Sequence, residues 1–458
     1  MPLTPDTARS DAAQDYPAPA YAWYVVVVLT FGYVVSFLDR QIFALLIQPI
    51  REDLGLSDTQ VSLVGGLAFA LFYTLLGIPI GRLADRRSRR GLIAIGVTLW
   101  CLMTAACGLA RNYWTLFLAR VGVGVGEATL NPAALSLISD YFPRHRRGQA
   151  ISFYNMGVGL GVGIANIVGA WAISVATAAP AMVLPGYGPL QPWQLVFMFV
   201  GLPGLLVALL MFTVREPPRR DRLRLAGADG TVQEQLSVAD ALRFLGARWK
   251  TYATHFVGMS VVTIIGYALF FWVPTMFVRS WGWTIPESGY AYGLITLVCG
   301  PLGVNLGGWI ADRLYARGMR DGLMRTSLFA AALVFVPASV IAPLMPTAAG
   351  AVLFLIPSSL AGAAITATGV AALMMITPNQ LRGQVTALYY FVLNVLGLTI
   401  GPTAVALITD YGFGDPQALR YSLAVVGAGA GILALGFLAT NLRLYRAAML
   451  EAEGWDQR

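Results

Sequence analysis

Charge is what this sequence has least of. Of its 458 residues, 12% are Asp, Glu, Lys or Arg, 57% are hydrophobic, and the mean hydropathy is +0.67. A soluble globular chain carries about 25% charged residues, so too little charge remains here to coat a soluble surface. The same composition excludes intrinsic disorder, collagen and a disulfide-rich secreted scaffold. Cysteine is scarce: Cys101, Cys107 and Cys299 lie in apolar stretches, in odd number and without ligand spacing, which argues against a disulfide role. Histidine is scarcer still, and neither His145 nor His255 has a metal or triad partner in sequence. Zinc spacing, a G-x-S-x-G elbow and a P-loop are all missing, so the sequence offers no basis for an enzyme, a metal, a cofactor or direct use of ATP. Residues 1–20 hold Asp6, Asp11, Asp15 and several prolines, without a basic region or an apolar core; they read as a disordered tail, not a signal peptide.

What is present is apolar and long. A bilayer core needs about 20 mostly apolar residues per helix. Twelve segments qualify, at roughly 21–48, 60–81, 91–109, 114–141, 149–174, 193–214, 252–278, 288–312, 323–345, 349–377, 383–409 and 418–442. Residues 215–250 form the longest charged stretch and read as a loop, with a short surface helix from an N-cap at Ser237 to Ala247. The net charge of +8 would suggest nucleic acid in a soluble protein. Here it reports topology instead. Of 31 Lys and Arg residues, four (Arg51, Arg111, Arg279, Arg420) fall in the loops of one side and two (Arg40, Arg120) inside segments. The other 25 lie on the side of both termini, which the positive-inside rule makes cytoplasmic.

The two halves repeat. Gly81-x3-Asp85-Arg86 with Arg90 matches Gly308-x3-Asp312-Arg313 with Arg317, each after the second segment of its half. Pro143-x3-Arg147-Gly148-Gln149 matches Pro378-x3-Arg382-Gly383-Gln384, each before the fifth. Two motifs in the same order imply a duplicated six-helix unit. The expected fold is an all-α membrane protein of twelve transmembrane helices, with bundles at 21–214 and 251–442 and a cytoplasmic tail at 443–458.

Six plus six helices, a long central loop and G-x3-D-R-x3-R after the second helix resemble the major facilitator superfamily over nearly the whole chain. That resemblance implies a gating role for Gly81, Asp85, Arg86 and Arg90, repeated at Asp312 and Arg313. Asp85 would meet the N-terminal end of helix 11, and Arg86 and Arg90 would tie to acids such as Asp140. A narrower match lies in the N-terminal half. Phe37-Leu38-Asp39-Arg40, the run Ala119-Arg120-x5-Gly126-Glu127-Ala128, and Leu137-Ile138-Ser139-Asp140-Tyr141-Phe142 resemble the Spinster family, although Val121 stands where a glycine often follows the arginine. Spinster proteins are transporters of lysolipids, including sphingosine-1-phosphate and lysophospholipids. The resemblance thus implies a monomeric secondary transporter in a bacterial inner membrane, moving a lipid-like substrate by alternating access with a proton gradient as its energy source.

Four charges sit inside segments: Asp39, Arg40, Arg120 and Glu127. Each costs about 2.5–3.5 kcal/mol on insertion scales, so such groups default to function. Their sum is zero, which allows mutual pairing. Arg120 and Glu127 are seven apart, nearly two turns, and face one way about 10 Å from each other. Asp39 and Arg40 point to different neighbours, so the expected pairs are Asp39 with Arg120 and Arg40 with Glu127 or substrate. Burial raises a carboxyl pKa and a neighbouring arginine lowers it, which suits Asp39 and Glu127 to proton coupling. Arg40 and Arg120 suit an anionic headgroup. The competing reading is a static cluster that fixes helix packing. Thr129 and Asn131, with Tyr389 and Asn394 opposite, are further candidate substrate contacts, against ordinary packing. A charged wall facing an aromatic wall fits an amphiphile. A small organic anion, or a lipid sensor of the same fold that does not transport, remain as alternatives.

Overall fold

The structure is a computed structural model, and it describes residues 16–180, 182–219, 238–378 and 380–453. Among the described residues, twelve helices are long and apolar enough to cross a membrane. We number them α1 (Pro19–Leu45), α2 (Asp58–Gly77), α3 (Arg89–Cys107), α4 (Tyr113–Tyr141), α5 (His145–Ala178) and α6 (Pro192–Met211) in the first half. The second half has α7 (Trp249–Trp281), α8 (Ile285–Ala316), α9 (Gly322–Leu344), α10 (Ala348–Met375), α11 (Arg382–Phe413) and α12 (Pro416–Ala452). The protein is thus an all-α membrane protein, as its apolar segments imply. Large apolar side chains such as Trp114, Leu118, Leu333 and Ile432 are exposed at helix surfaces, where a bilayer would cover them.

Because the helices alternate in direction, the odd-numbered ones start on the side of the chain termini and the even-numbered ones on the opposite side. The even starts carry strong local signals. Ser57 with Gln60, Asn112 with Thr115, Gln191 with Gln194, and Thr284 with Glu287 are reciprocal capping boxes, Thr347 caps α10, and Asp415 caps the turn leading into α12. Each satisfies N–H groups that a helix leaves open at its start. Short loops on that side therefore come with fixed helix starts.

Several ends differ from the sequence reading. Beyond Leu45 a kink leads into a short helix, Ile47–Leu54. Val238–Ala247 is helical, while its expected cap Ser237 lies outside the described residues, as do residues 1–15 of the expected N-terminal tail. The last helix runs on to Glu453 through much of the expected tail, because Tyr445 is buried and Arg446 is paired with Asp321.

Within the first half, α1 packs on α5, and α4 on α2 and α3; within the second, α7 packs on α11 and α12, and α10 on α8 and α9. Across the halves, α5 meets α8, α2 meets α11 and α1 meets α7. Glycines make two of these seams close. A Cβ at Gly66 of α2 would stand 2.6 Å from the Leu398 carbonyl oxygen of α11, and one at Gly163 of α5 would stand 2.5 Å from Leu297 of α8. In α2, the turn Leu63–Leu67 widens to a π-helix just where Gly65 lets Phe43 and Phe271 approach. The hydrogen bonds and ion pairs joining the halves gather toward the side opposite the termini, at Asp58, Thr59, Ser62 and Arg279.

Candidate functional site

Tyr33, Phe37 and Arg40 share one face of α1 at helical spacing; Tyr33 and Phe37 meet α5 at Tyr154 and Gly161, and Arg40 meets α2 and α4 in the interior of the first half. Arg40 donates from Nε (2.9 Å) and Nη2 (2.6 Å) to a single oxygen, Glu127 Oε2. Three rings surround its guanidinium: Phe69 at 4.6 Å, Tyr73 at 4.7 Å and Phe37 at 5.2 Å from ring centroid. Such a contact contributes about 0.5–2 kcal/mol, more when water is kept out. Burial explains the need: Glu127 is 1% exposed and Arg40 only 11%. The expected Arg40–Glu127 pair is therefore formed.

The expected Asp39–Arg120 hydrogen bond is not. Asp39 is fully buried, and among the described residues neither of its carboxylate oxygens makes a hydrogen bond of full geometry, Thr104 acting on it only as a weak donor. Arg120 sits with Asp39 in one electrostatic cluster, but its Nε and Nη1 are also without a partner. Its guanidinium instead lies over Phe43 (4.9 Å) and Phe69 (5.4 Å). Geometry accounts for the difference: both arginines lie against the Phe69 ring, and Arg120 rests on aromatic faces rather than against a carboxylate. Both polar atoms of Gln41 and Glu127 Oε1 are buried in the same first-half core with no partner among the described residues. Phe69 and Tyr73 escaped the sequence reading; their only signal is i, i+4 spacing on the second segment, which any packed helix can show.

Above Arg40 the space between the halves is aromatic. Tyr33 stacks on Tyr154 at 4.9 Å, and Tyr154 donates to Asn131 Oδ1 at 3.2 Å. From the other half, Tyr267 donates to Asn394 Oδ1 at 3.2 Å. Tyr267 lies within electrostatic reach of Arg40, and Tyr267 and Tyr390 within reach of Tyr33. Asn131 and Asn394 thus belong to this wall through their tyrosines. Tyr389 points elsewhere: it is buried against His255 and Phe256, and its hydroxyl has no partner among the described residues. Thr129 also turns away, because its Oγ1 donates back to the Gly126 carbonyl at 2.8 Å and packs against Gly96 of α3.

On the side of the termini, the acid expected to meet Arg86 and Arg90 is held by Arg89. That buried side chain pairs with Asp140, donates from Nε to Glu216 at 2.8 Å, and donates to Ser136 and Pro217. Arg90 instead donates to the Val214 carbonyl at 3.2 Å, and Arg86 is exposed. The reason is position: Arg89 opens α3 and points inward, one residue ahead of the motif arginine. Burial pushes the Glu216 carboxyl up, yet hydrogen bonds from Arg89, the Arg90 N–H and Ser88 bring it below the usual range. Gly81 passes Pro132 of α4 at van der Waals distance, and the side chain of Asp85 lies outside the described residues. In the second half Asp312 and Arg313 are exposed, with Arg313 over Trp309; Asp321 takes the arginines there, from Arg325 (2.6 Å) and Arg446.

Two six-helix halves, with a buried charge cluster inside the first, define a secondary-transporter architecture, not an enzyme. The chain belongs to the Major Facilitator Superfamily, whose family model matches residues 29–402. An MFS-type efflux pump of Mycolicibacterium smegmatis is 28% identical over 98% of this chain and 99% of its own length. A D-galactonate transporter of Escherichia coli O6:H1 is 24% identical over 91% of this chain and 96% of its own. Among solved structures, a bacterial homolog to the human lysosomal transporter Spinster, in an inward-facing and unoccupied conformation, matches with a TM-score of 0.76 and 27% identity, covering 94% of this chain and 98% of that one.

Proposed function

We propose that this protein is a proton-coupled transporter of amphiphilic anionic lipids, of the lysophospholipid or sphingosine-1-phosphate class. It works as a monomer in a bacterial inner membrane, with both termini cytoplasmic. The observation that carries the reading is the state of Arg40: one carboxylate oxygen holds it, with Tyr73 over its guanidinium and Tyr267 of the other half within electrostatic reach. A guanidinium fork matches a phosphate headgroup, and the aromatic wall accepts an acyl chain.

Coupling follows from competition for Arg40. A proton on Glu127 weakens its hold on the arginine and frees two N–H donors for the headgroup. Proton and anion therefore favour each other's binding, and the coupling is reciprocal. Asp39, buried beside this pair, is the second proton-coupling carboxyl, and Arg120 the reserve cation. The gate residues Asp85, Arg86 and Arg90, with Asp312 and Arg313, engage when the side of the termini closes.

The D-galactonate relative supports a second reading, a small organic anion bound by the same arginine. The deciding experiment is uptake into proteoliposomes of a labelled lysophospholipid and, separately, of labelled D-galactonate, with and without an imposed pH gradient. Gradient-driven lipid flux supports the first reading. Galactonate flux without lipid flux overturns it, and lipid binding without flux makes the protein a sensor.

A further inference from the structure

A set of hydrogen bonds joins the halves at the face opposite the termini, and none belongs to the charged site. Asp58 opens α2 and is fully buried. Arg279, near the end of α7 in the other half, grips it as a fork: Nη1 to Oδ2 at 2.6 Å and Nη2 to Oδ1 at 2.7 Å. The same guanidinium donates to Gln48 at 2.8 Å and to the Pro416 carbonyl at 3.2 Å. Asp410, from the π-turn that ends α11, reaches back across the seam. Its carboxylate accepts the Asp58 N–H (3.3 Å), the Thr59 N–H and the Thr59 hydroxyl (both 2.7 Å). One half thus caps a helix of the other. Lower on the same stripe of α2, Ser62 donates to Thr403 at 3.5 Å, and Gly66 lies against Leu398.

Arg51 gives this cluster a second position. Its Nε lies 3.1 Å from Asp58 Oδ1, yet its N–H is not aimed for a hydrogen bond. Arg51 and Asp58 belong to the same half. When the halves part, Asp58 loses the fork but retains a cation, so no buried carboxylate is stranded; Arg279 keeps Pro416. A stranded charge is what makes breaking such a pair expensive, and Arg51 removes much of that penalty.

We infer that Asp58, Arg279 and Asp410 form a releasable latch that holds this face shut, with Arg51 as the cation that receives Asp58 on opening. The inference rests on the alternating-access reading, but its test needs no substrate. Spin labels at the exposed positions Val183→Cys and Ala349→Cys, one on each half at this face, report its opening by pulsed dipolar distances in liposomes. Asp410→Ala removes the cross-half cap while Ser57 still caps α2 within its own half. It should raise the ratio of open to closed distances about tenfold, or ~1.4 kcal/mol. Arg279→Gln should do the same, and Arg279→Lys should fall between. A disulfide in Ser62→Cys/Thr403→Cys should return the closed distance in the Asp410→Ala background. An unchanged distance distribution in folded Asp410→Ala protein overturns the latch. Loss of lipid flux with the distance shift intact would count against the substrate reading alone.

Discussion

Replacing Glu127 by Gln separates a working competition for Arg40 from a static ion pair. In the native protein an anionic headgroup must take Arg40 from Glu127 Oε2, which receives two of its N–H groups. Truncating one partner of a buried charge pair costs about 2–5 kcal/mol. The hold to be overcome here is smaller, because Arg40 also rests on three aromatic faces and is not fully closed off even when paired. A competing hold of about 1.4–2 kcal/mol corresponds to roughly a 10–30-fold difference in affinity. The glutamine fills the same volume but no longer competes as an anion. A lysophospholipid phosphate should therefore bind Glu127→Gln about tenfold more tightly than native protein at neutral pH, by titration calorimetry in detergent. The sign with pH follows from the same competition. Protonating the native carboxylate releases Arg40, so native affinity should rise as pH falls, and the variant should lose most of that slope. Weaker binding by a folded variant, or an undiminished pH slope, would refute the competition.

Arg40→Ala should weaken binding of the same lipid by tenfold or more, and Arg40→Lys should recover only part of it, since an ammonium lacks the planar fork; equal affinity in all three proteins would remove Arg40 from the headgroup site. Gly124→Ala would place a Cβ 2.6 Å from the Phe69 carbonyl oxygen and push α2 from α4, at a cost of about 1–3 kcal/mol. Its Tm and lipid affinity should fall together, whereas Gly77→Ala, which meets nothing within 4 Å, should leave both nearly unchanged. On the side of the termini, burial acts to raise the Asp321 carboxyl, but hydrogen bonds from Arg446 and Arg325 hold it below the ordinary range. A depressed carboxyl stabilises the fold fully above its unfolded pKa of about 4 and loses that contribution as pH falls through the folded value. The Tm of native protein in detergent should thus drop more steeply than that of Asp321→Asn below about pH 4, and parallel curves would argue against this pair.

The parts of the fold and site that were legible in the sequence are those with a steep free-energy penalty. Apolar segments long enough to span a bilayer leave few alternatives, and intramembrane charges summing to zero leave few partners, which is why Arg40 with Glu127 could be foreseen. Aromatic neighbours carry no comparable penalty, so Phe69 and Tyr73 looked like ordinary packing until the arginines were seen lying on them. Arg89 was hidden by its more conspicuous neighbours Arg86 and Arg90, because which of several adjacent arginines points inward depends on where α3 begins. Thr129 looked available, but a threonine hydroxyl in a helix readily bonds its own preceding turn. Asp58 had the appearance of a helix-start acid and Arg279 of a loop cation; their union needs two segments 221 positions apart to meet, which no local pattern encodes.

The last helical element, Leu419–Glu453, runs 35 residues, about 52 Å at 1.5 Å per residue. A bilayer core is about 30 Å thick, so its final turns, with Tyr445 and Arg446, stand clear of the hydrocarbon. Those turns do not hang free: Tyr445 is buried and Arg446 is tied to Asp321, in the loop before α9. Because the same helix packs on α7, it works as a tie rod, joining the loops on the side of the termini to the opposite face through one unbroken element.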